Sequence, residues 1–203
     1  MHSTLSDDDL LRLMRSGDEE AFIILYHRRQ GSIYRFALRM SGSESLAEDV
    51  TQEVFMTLVR GNGHYDSSRG SFSAYLFGIA RNQVLKRFEK ERVLMPIGDE
   101  TEDCDASIGE HLVVSTDPLG DLTRQETIES VRQAVLTLPP HYREVVVFCD
   151  LHEMSYAETA EALGCAVGTV RSRLHRARGL LIEKLREVHV KETGAADTAN
   201  CYI

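Results

Sequence analysis

The stretch SYAETAEALGCAVGTVRSRLHRAR, residues 155–178, decides how the C-terminal part of the chain folds. Within it, Ala160, Gly164 and Val170 follow one another at spacings of four and six residues. This spacing suits a small residue where two helices cross, a glycine in the turn between them, and an apolar residue that seats the second helix. The stretch therefore predicts a helix-turn-helix.

The second helix of this unit has two faces of different character. At about 100° per residue, the apolar residues that fall within roughly 60° of Val170 are Leu174, Ala177, Leu181 and Leu185. The face opposite this stripe consists of Arg171, Ser172, His175, Arg176 and Gly179. Residues 168–178 contain four arginines and no acidic residue. We therefore expect a buried apolar side and an exposed basic side.

A basic helical face without carboxylates fits the major groove of DNA, where arginine donates two hydrogen bonds to guanine and phosphates attract positive charge. The predicted DNA-binding residues are Gly168, Thr169, Arg171, Ser172, His175 and Arg176, the first two through backbone amides that face a phosphate. An ordinary solvated arginine face is the competing interpretation. Arg173 and Arg178 flank the apolar stripe, so they are equally suited to pairing with acids or phosphates and to reading bases.

The net charge of −9 is unevenly distributed along the chain. Residues 1–92 hold 13 basic and 13 acidic side chains, residues 93–122 hold none and 8, and residues 123–203 hold 10 and 11. Nearly all of the excess negative charge therefore lies in one central segment. Local charge, not the total, governs which partner binds where.

Several classes of protein are disfavoured by composition. No run of about 18 apolar residues is present, so we expect no membrane insertion. The N-terminal sequence MHSTLSDDDL is acidic and lacks the apolar core of an export signal. The cysteines Cys104, Cys149, Cys165 and Cys201 show no metal-binding spacing, and Cys149 with His152 does not complete a tetrahedral site. We expect a protein of the reducing cytoplasm, without a metal or another cofactor.

Helical periodicity and the absence of strand alternation predict an all-α fold of two small helical domains joined by an acidic flexible linker. The first domain is assigned to residues 1–92, the linker to 93–122, the helix-turn-helix domain to 123–190 and a frayed tail to 191–203. The predicted helices span residues 7–16, 19–40, 43–60, 71–92, 121–137, 141–151, 155–163 and 167–190. Ser6 is the predicted cap of the first helix, and Pro140 suits the start of the sixth.

The third predicted helix carries a mixed polar face. Val50, Val54 and Leu58 lie on one side, and a second side consists of Asp49, Gln52, Glu53 and Met56. Acids, an amide and an exposed methionine on one face suit docking to a basic helical partner. An ordinary solvated face remains the alternative from this pattern alone.

Four stretches in order resemble the extracytoplasmic-function (ECF, group IV) sigma factors, which belong to the sigma-70 family of bacterial RNA polymerase subunits. They are AEDVTQEVFMTLVR (47–60), SFSAYLFGIARNQVLKRFEKER (71–92), LPPHYREVVVFCDLHEMSYAETAEALG (138–164) and VGTVRSRLHRAR (167–178). The resemblance covers about residues 7 to 187. It implies a non-enzymatic transcription initiation factor that binds core RNA polymerase, recognises a promoter and melts DNA.

The resemblance also implies roles for individual segments. Asp49, Gln52, Glu53 and Met56 would bind the clamp helices of the polymerase β′ subunit, and the β flap and an anti-sigma factor would be further partners. The implied minus-ten residues are Asn62, His64, Tyr65, Asp66, Arg81, Asn82, Lys86 and Arg87. The helix-turn-helix would recognise the minus-thirty-five element, and the acidic linker would thread the active-site cleft of the polymerase.

Two other classes of protein compete with this interpretation. A stand-alone helix-turn-helix regulator would need an N-terminal sensor with a ligand pocket or with receiver-type acids on strands. A hydrolase or nuclease would need a catalytic arrangement, but the histidines are scattered without an HxxxH pair and no nucleophile elbow is present.

Overall fold

The described part of the chain consists of helices and connecting turns, without strands. The structure is a computed structural model that describes residues 4–61, 65–68, 70–94 and 120–198, with side chains described at 4–61, 65–68, 70–90 and 127–186. The eight α-helices of this part are α1 Asp7–Arg15, α2 Glu19–Ser41, α3 Glu44–Val59, α4 Phe72–Leu94, α5 Gly120–Leu136, α6 Pro140–Val146, α7 Tyr156–Leu163 and α8 Val167–Thr198. The predicted all-α fold class is confirmed.

Local capping explains where the N-terminal helices start. Ser6, Asp18 and Ser43 precede α1, α2 and α3, and each side chain accepts a hydrogen bond from a backbone amide of the first turn. This contact satisfies a donor that the helix itself leaves unpaired. At the other end of α2, Gly42 has φ 72°, a left-handed conformation that glycine adopts without strain. The predicted cap at Ser6 is therefore confirmed.

Helix α4 buries two adjacent stripes of its surface. Phe72 and Leu76, four residues apart on one side of the helix, form the first stripe and are buried. A second stripe of Phe77, Ala80 and Val84, about 80–140° around the helix from the first, is also buried. The second stripe faces the C-terminal helices, because Phe77 contacts Phe148 with ring centroids 5.7 Å apart. The sequence did not predict this second packing surface.

The C-terminal helices pack on the N-terminal group in one continuous hydrophobic core. Helix α6 starts at Pro140, one residue before the predicted range, and continues without a break as a π-helical turn over Val147–Leu151. In that turn the amide of His152 donates to the carbonyl of Val147, five residues earlier, at 3.0 Å. The predicted regular helix over 141–151 is therefore wrong in its second half. The wider turn carries Phe148 into the core.

The end of helix α8 differs most from the sequence prediction, whereas the other helix ends differ by at most two residues when the π-helical turn is counted with α6. Helix α8 continues to Thr198, past the predicted end at residue 190, so the frayed tail predicted over 191–203 is helical over its first part. The run AAD there supplies two alanines, the best helix formers. Residues 95–119, which are most of the acidic linker predicted over 93–122, lie outside the described residues, as does Cys201, so the predictions made for them stay predictions.

Candidate nucleic-acid and protein-binding surfaces

A capping box and a left-handed glycine build the predicted helix-turn-helix. The hydroxyl of Ser155 accepts a hydrogen bond from the amide of Glu158, and the Glu158 carboxylate accepts one from the Ser155 amide at 3.0 Å. Gly164 ends α7 with φ 63°. The chain then turns over three residues into α8, where the amide of Val170 donates to the carbonyl of Ala166. The predicted motif is present over the predicted residues.

Helix α8 has the two faces that its sequence predicts. Val170, Leu174 and Ala177 are fully or almost fully buried. The exposed residues of its N-terminal half include Gly168, Arg171, Ser172, His175 and Arg176, while Thr169 is half-buried. Within the described residues, neither Arg171 nor Arg176 is paired with a carboxylate. Positive charge is therefore available on this face.

Two of the arginines of α8 have defined neighbours. The Arg171 guanidinium lies over the ring of Tyr156, 5.7 Å from its centroid, a distance at which cation–π attraction operates. Arg178 donates to both carboxylate oxygens of Asp150, at 2.5 and 3.1 Å. Of the two interpretations left open for Arg178, pairing with an acid is the one observed.

The residues predicted for the minus-ten element include a loop that its own contacts hold in place. Tyr65 packs between Phe72 and Tyr75, with centroids 5.3 Å from each, and its hydroxyl donates to the carbonyl of Gly70. Burial, followed by the nearby Asp8, raises the pKa of Tyr65 to about 12. The ring packing and the hydrogen bond orient Tyr65 inward, so its ring is not open to an unstacked base in this arrangement.

Of the other residues predicted in this loop, only Asp66 belongs to the described part of the chain. Asp66 accepts hydrogen bonds from the amide and the hydroxyl of Ser68, at 2.9 and 2.7 Å, which folds this end of the loop into a turn. Asn62 and His64 lie outside the described residues, so their predicted role stays a prediction.

The four predicted DNA-binding residues of α4 differ in whether they are free for DNA or already contact an acid. Asn82 and Lys86, one helical turn apart, are exposed. Arg87 donates to Asp49 at 2.8 Å, which joins a predicted DNA-binding residue to a predicted polymerase-binding residue. Arg81 donates to both carboxylate oxygens of Glu144 in α6, at 2.8 and 3.2 Å. Two of the four are therefore bound to acids.

The predicted docking face of α3 is likewise divided. Gln52 and Met56 border a groove of about 720 Å³ between α2 and α3, whereas Asp49 contacts Arg87 and Glu53 contacts Arg60 at 3.3 Å. Met56 is 37% exposed. Sequence reasoning missed the α2 side of this groove, which consists of Phe22, Tyr26, His27, Gln30, Gly31, Tyr34 and Arg35.

Phe22 and Tyr26 have the spacing of the apolar stripe of α2, but both are only half-buried. Their rings lie 6.4 and 4.7 Å from the ring of Phe55, measured between centroids. Half-exposed aromatic rings beside a methionine and an amide are the composition of a protein-binding groove.

The described side chains contain no group of three or more His, Cys, Asp or Glu that is arranged to hold a metal ion. The helices of the described chain include none long and apolar enough to cross a membrane.

Comparison with known families assigns both halves of the chain. The description "Sigma-70 region 2" matches residues 25–93, and "Sigma-70, region 4" matches residues 128–181. The ECF RNA polymerase sigma factor EcfG of Rhodopseudomonas palustris is 33% identical over 174 residues, which cover 85% of this chain and 89% of that protein. The chain belongs to the ECF sigma factors of the sigma-70 family. It is thus an RNA polymerase sigma factor that directs promoter recognition, and it is not an enzyme.

Other sigma factors resemble it along most of their length. The ECF RNA polymerase sigma factor SigW of Bacillus subtilis is 29% identical over 180 residues, covering 88% of this sigma factor and 96% of SigW. Because region 2 occupies the N-terminal half, the alternative of a sensor domain joined to a stand-alone helix-turn-helix is not favoured.

Two solved structures share the fold. CnrH, in complex with the cytosolic domain of CnrY, is 25% identical with a TM-score of 0.65, over 89% of this chain and 97% of CnrH. The sigma factor RpoE of Bartonella quintana, in complex with the anti-sigma factor NepR, is 26% identical with a TM-score of 0.58, over 77% of this chain and 91% of RpoE.

Proposed function

We propose that this sigma factor divides promoter recognition between residues 1–92 and residues 123–190, joined by a linker over 93–122. The first part would bind core RNA polymerase and the minus-ten element, and the second would bind the minus-thirty-five element. The observation that carries the proposal is that the chain has two separate basic surfaces: the exposed, acid-free face of α8 and a second set of basic residues on α4. A protein that contacts two separate DNA elements needs two such surfaces.

At the minus-thirty-five element, α8 would enter the major groove with Arg171, Ser172, His175 and Arg176 towards the bases. The start of α8 at Gly168 would approach a phosphate, since nothing lies within 4 Å of where a Cβ would be. The buried Leu174 on the other side of the helix supports this orientation.

At the minus-ten element, α4 would contact the melted strand. Asn82 and Lys86 are exposed and ready to contact bases and phosphates, while Arg81 and Arg87 would first have to leave their acids. Tyr65 would contribute a stacking surface only after the loop rearranges, because its ring is packed against Phe72 and Tyr75.

The groove between α2 and α3 would receive the clamp helices of the polymerase β′ subunit, with Gln52 and Met56 on one rim and Phe22 and Tyr26 on the other. Asp49 and Glu53, beside the groove, would attract basic side chains of that partner.

Further partners are proposed from the relatives. The β flap of the polymerase would bind the helix-turn-helix domain, and an anti-sigma factor would bind this chain as NepR binds RpoE. We place the sigma factor in the cytoplasm. The described cysteines, Cys149 and Cys165, are both free, which suits a reducing compartment.

The proposal is tested by a pulldown with core RNA polymerase, followed by run-off transcription. Charge reversal at Asp49 and Glu53 should weaken polymerase binding and change the free energy of unfolding by no more than about 0.5–1 kcal/mol, because both acids form only exposed ion pairs. Reversal at Glu19, an exposed acid on α2, is the matched control. Unchanged polymerase affinity in the double variant would refute the docking assignment.

A further inference from the structure

Glu144 binds Arg81 in the way in which a phosphate binds an arginine. The carboxylate accepts one hydrogen bond from Nε and one from Nη2 of Arg81, at 2.8 and 3.2 Å. The same forked pair of donors recognises phosphate oxygens. The Glu144 side chain is only 3% exposed, whereas Arg81 is 24% exposed. One guanidinium edge cannot hold Glu144 and a DNA phosphate at the same time.

A second acid from the same side of the molecule lies at the start of α4. The carboxylate of Glu161, in α7, accepts a hydrogen bond from the amide of Ser71 at 3.4 Å. Gly70 makes room for it, because a Cβ at that position would lie 1.0 Å from the Glu161 carboxylate. Helix N-termini attract anions through their unpaired amides. Both acids therefore occupy anion-binding positions on α4.

Apolar packing keeps these acids in place. The ring of Phe148 stacks on Phe36 at 4.8 Å, and the ring of His152 lies edge-on to Phe77 at 5.2 Å. Arg143, buried in α6, donates to the carbonyl of Met40 at the end of α2 at 2.5 Å. The second domain is thus docked on the first through a shared core, which holds Glu144 and Glu161 against α4.

Arg81 cannot leave Glu144 by a side-chain rotation alone. Such a rotation would leave the almost fully buried Glu144 carboxylate without its charge partner, which is strongly unfavourable. The carboxylate regains water only if α6 moves away from α4. Release of Arg81 is therefore coupled to undocking of the whole second domain.

We propose that the second domain covers part of the minus-ten surface of this chain, namely Arg81 and the start of α4, with Glu144 and Glu161 in the positions that phosphates of the promoter strand take. Docking of the two domains and phosphate binding by the Nε–Nη2 edge of Arg81 then exclude each other. This inference rests on the proposed function in one respect, the assignment of Arg81 to DNA. The exposed basic face of α8 stays accessible in the docked arrangement.

The experiment uses the full chain and two measurements. Fluorescence anisotropy gives the affinity for a labelled single-stranded DNA of mixed sequence, about 20 nucleotides long, which spans such a site. Small-angle X-ray scattering gives the radius of gyration of the free protein. The variants are E144Q, E161Q, their double and R81Q, with E183Q on the exposed surface of α8 as the charge-matched control.

We expect a compact wild type, and an expanded double variant that binds DNA about fivefold more tightly or better, the lower end of ordinary coupling between sites. E183Q should change neither quantity. R81Q should expand the protein as well but weaken DNA binding. Circular dichroism verifies that each variant is folded, and E161Q, at an exposed position, provides the test if E144Q does not fold.

Three results would overturn the proposal. An expanded wild type would show that the domains are not docked. An unchanged radius and an unchanged affinity in the double variant would show that the acids block nothing. Expansion of R81Q without loss of DNA affinity would still support docking in the wild type but would remove Arg81 from the DNA-binding residues. This result separates a failure of the DNA assignment from a failure of docking.

Discussion

The basic faces of α8 and α4 are predicted to bind the same polymer, yet they differ in what their arginines contact. Arg171 and Arg176 on α8 face solvent, with an aromatic ring beside the first. Arg81 and Arg87 on α4 are bound to Glu144 and Asp49. The difference shows that a basic residue in a DNA-binding motif can be present and still be unavailable. Availability depends on what the rest of the chain places against it.

The largest expected effect comes from removing a buried side chain that holds α8 against the core. Leu174→Ala should lower the free energy of unfolding by about 2–5 kcal/mol, because Leu174 is 2% exposed and its removal leaves a cavity in the core. Urea denaturation followed by circular dichroism measures the change. Arg176→Ala, two residues further along on the exposed face, is the control and should stay within about 0.5 kcal/mol of wild type. Equal stabilities for the two variants would contradict the assigned faces.

A second prediction uses pH to weaken the docking against α4. Burial, together with the positive charges of Arg39 and Arg35, lowers the pKa of His152 to about 4. The unfolded chain, with a histidine pKa near 6.5, binds the proton first, so stability should fall as the pH drops from about 6.5 towards 4, by at most about 3 kcal/mol. Above pH 6.5 this histidine contributes no pH dependence.

Thermal unfolding of wild type and His152→Phe across this range measures the contribution. Phenylalanine fits the surrounding rings of Phe36 and Phe77, and the Nε2 atom that it replaces is buried without a hydrogen-bond partner among the described residues. The variant should show a flatter pH profile than both wild type and an exposed control, His27→Gln. Parallel profiles would show that His152 is not the titrating group.

The third prediction concerns whether Arg171 and Arg176 of α8 contact bases or only phosphates. Replacement of Arg171 or Arg176 by alanine should weaken promoter binding by about 1–3 kcal/mol at one base position if that arginine contacts a guanine. A phosphate contact would instead weaken all sequences alike and reduce the salt dependence by about one ion. Binding of the holoenzyme to single-base variants of the minus-thirty-five element at two salt concentrations separates these outcomes. No change from either variant would remove α8 from the interface.

The smallest expected effect concerns the ring beside Arg171. Tyr156→Leu should weaken discrimination at the base read by Arg171 by about 0.5–1 kcal/mol, because the cation–π contact that orients the guanidinium is lost. Tyr156→Phe keeps the ring and should behave as wild type in the same binding assay. If the phenylalanine variant loses affinity for every sequence, the hydroxyl contacts the DNA and the orienting role is wrong.

The helices, their caps and the two faces of α8 followed from the sequence because they depend on local rules. Ser6, Gly164 and the Val170–Leu174 stripe each act within a few residues of themselves. The contact of Arg81 with Glu144 joins residues 63 positions apart, and neither carries a local signal for the other. The aromatic rim of the groove was missed because Phe22 has the periodicity of a core residue, and periodicity does not separate full from partial burial.

The π-helical turn at Val147–Leu151 changes the direction in which the following residues point around the helix axis. One extra residue within a turn rotates everything after it by about 100° relative to an unbroken α-helix. Phe148 lies inside this turn and His152 directly after it, so the angular position of His152 against Phe77 depends on that single inserted residue. Deleting one residue here would not change the helix-turn-helix sequence at 155–178. It would nevertheless turn α7, and Glu161 with it, away from the start of α4.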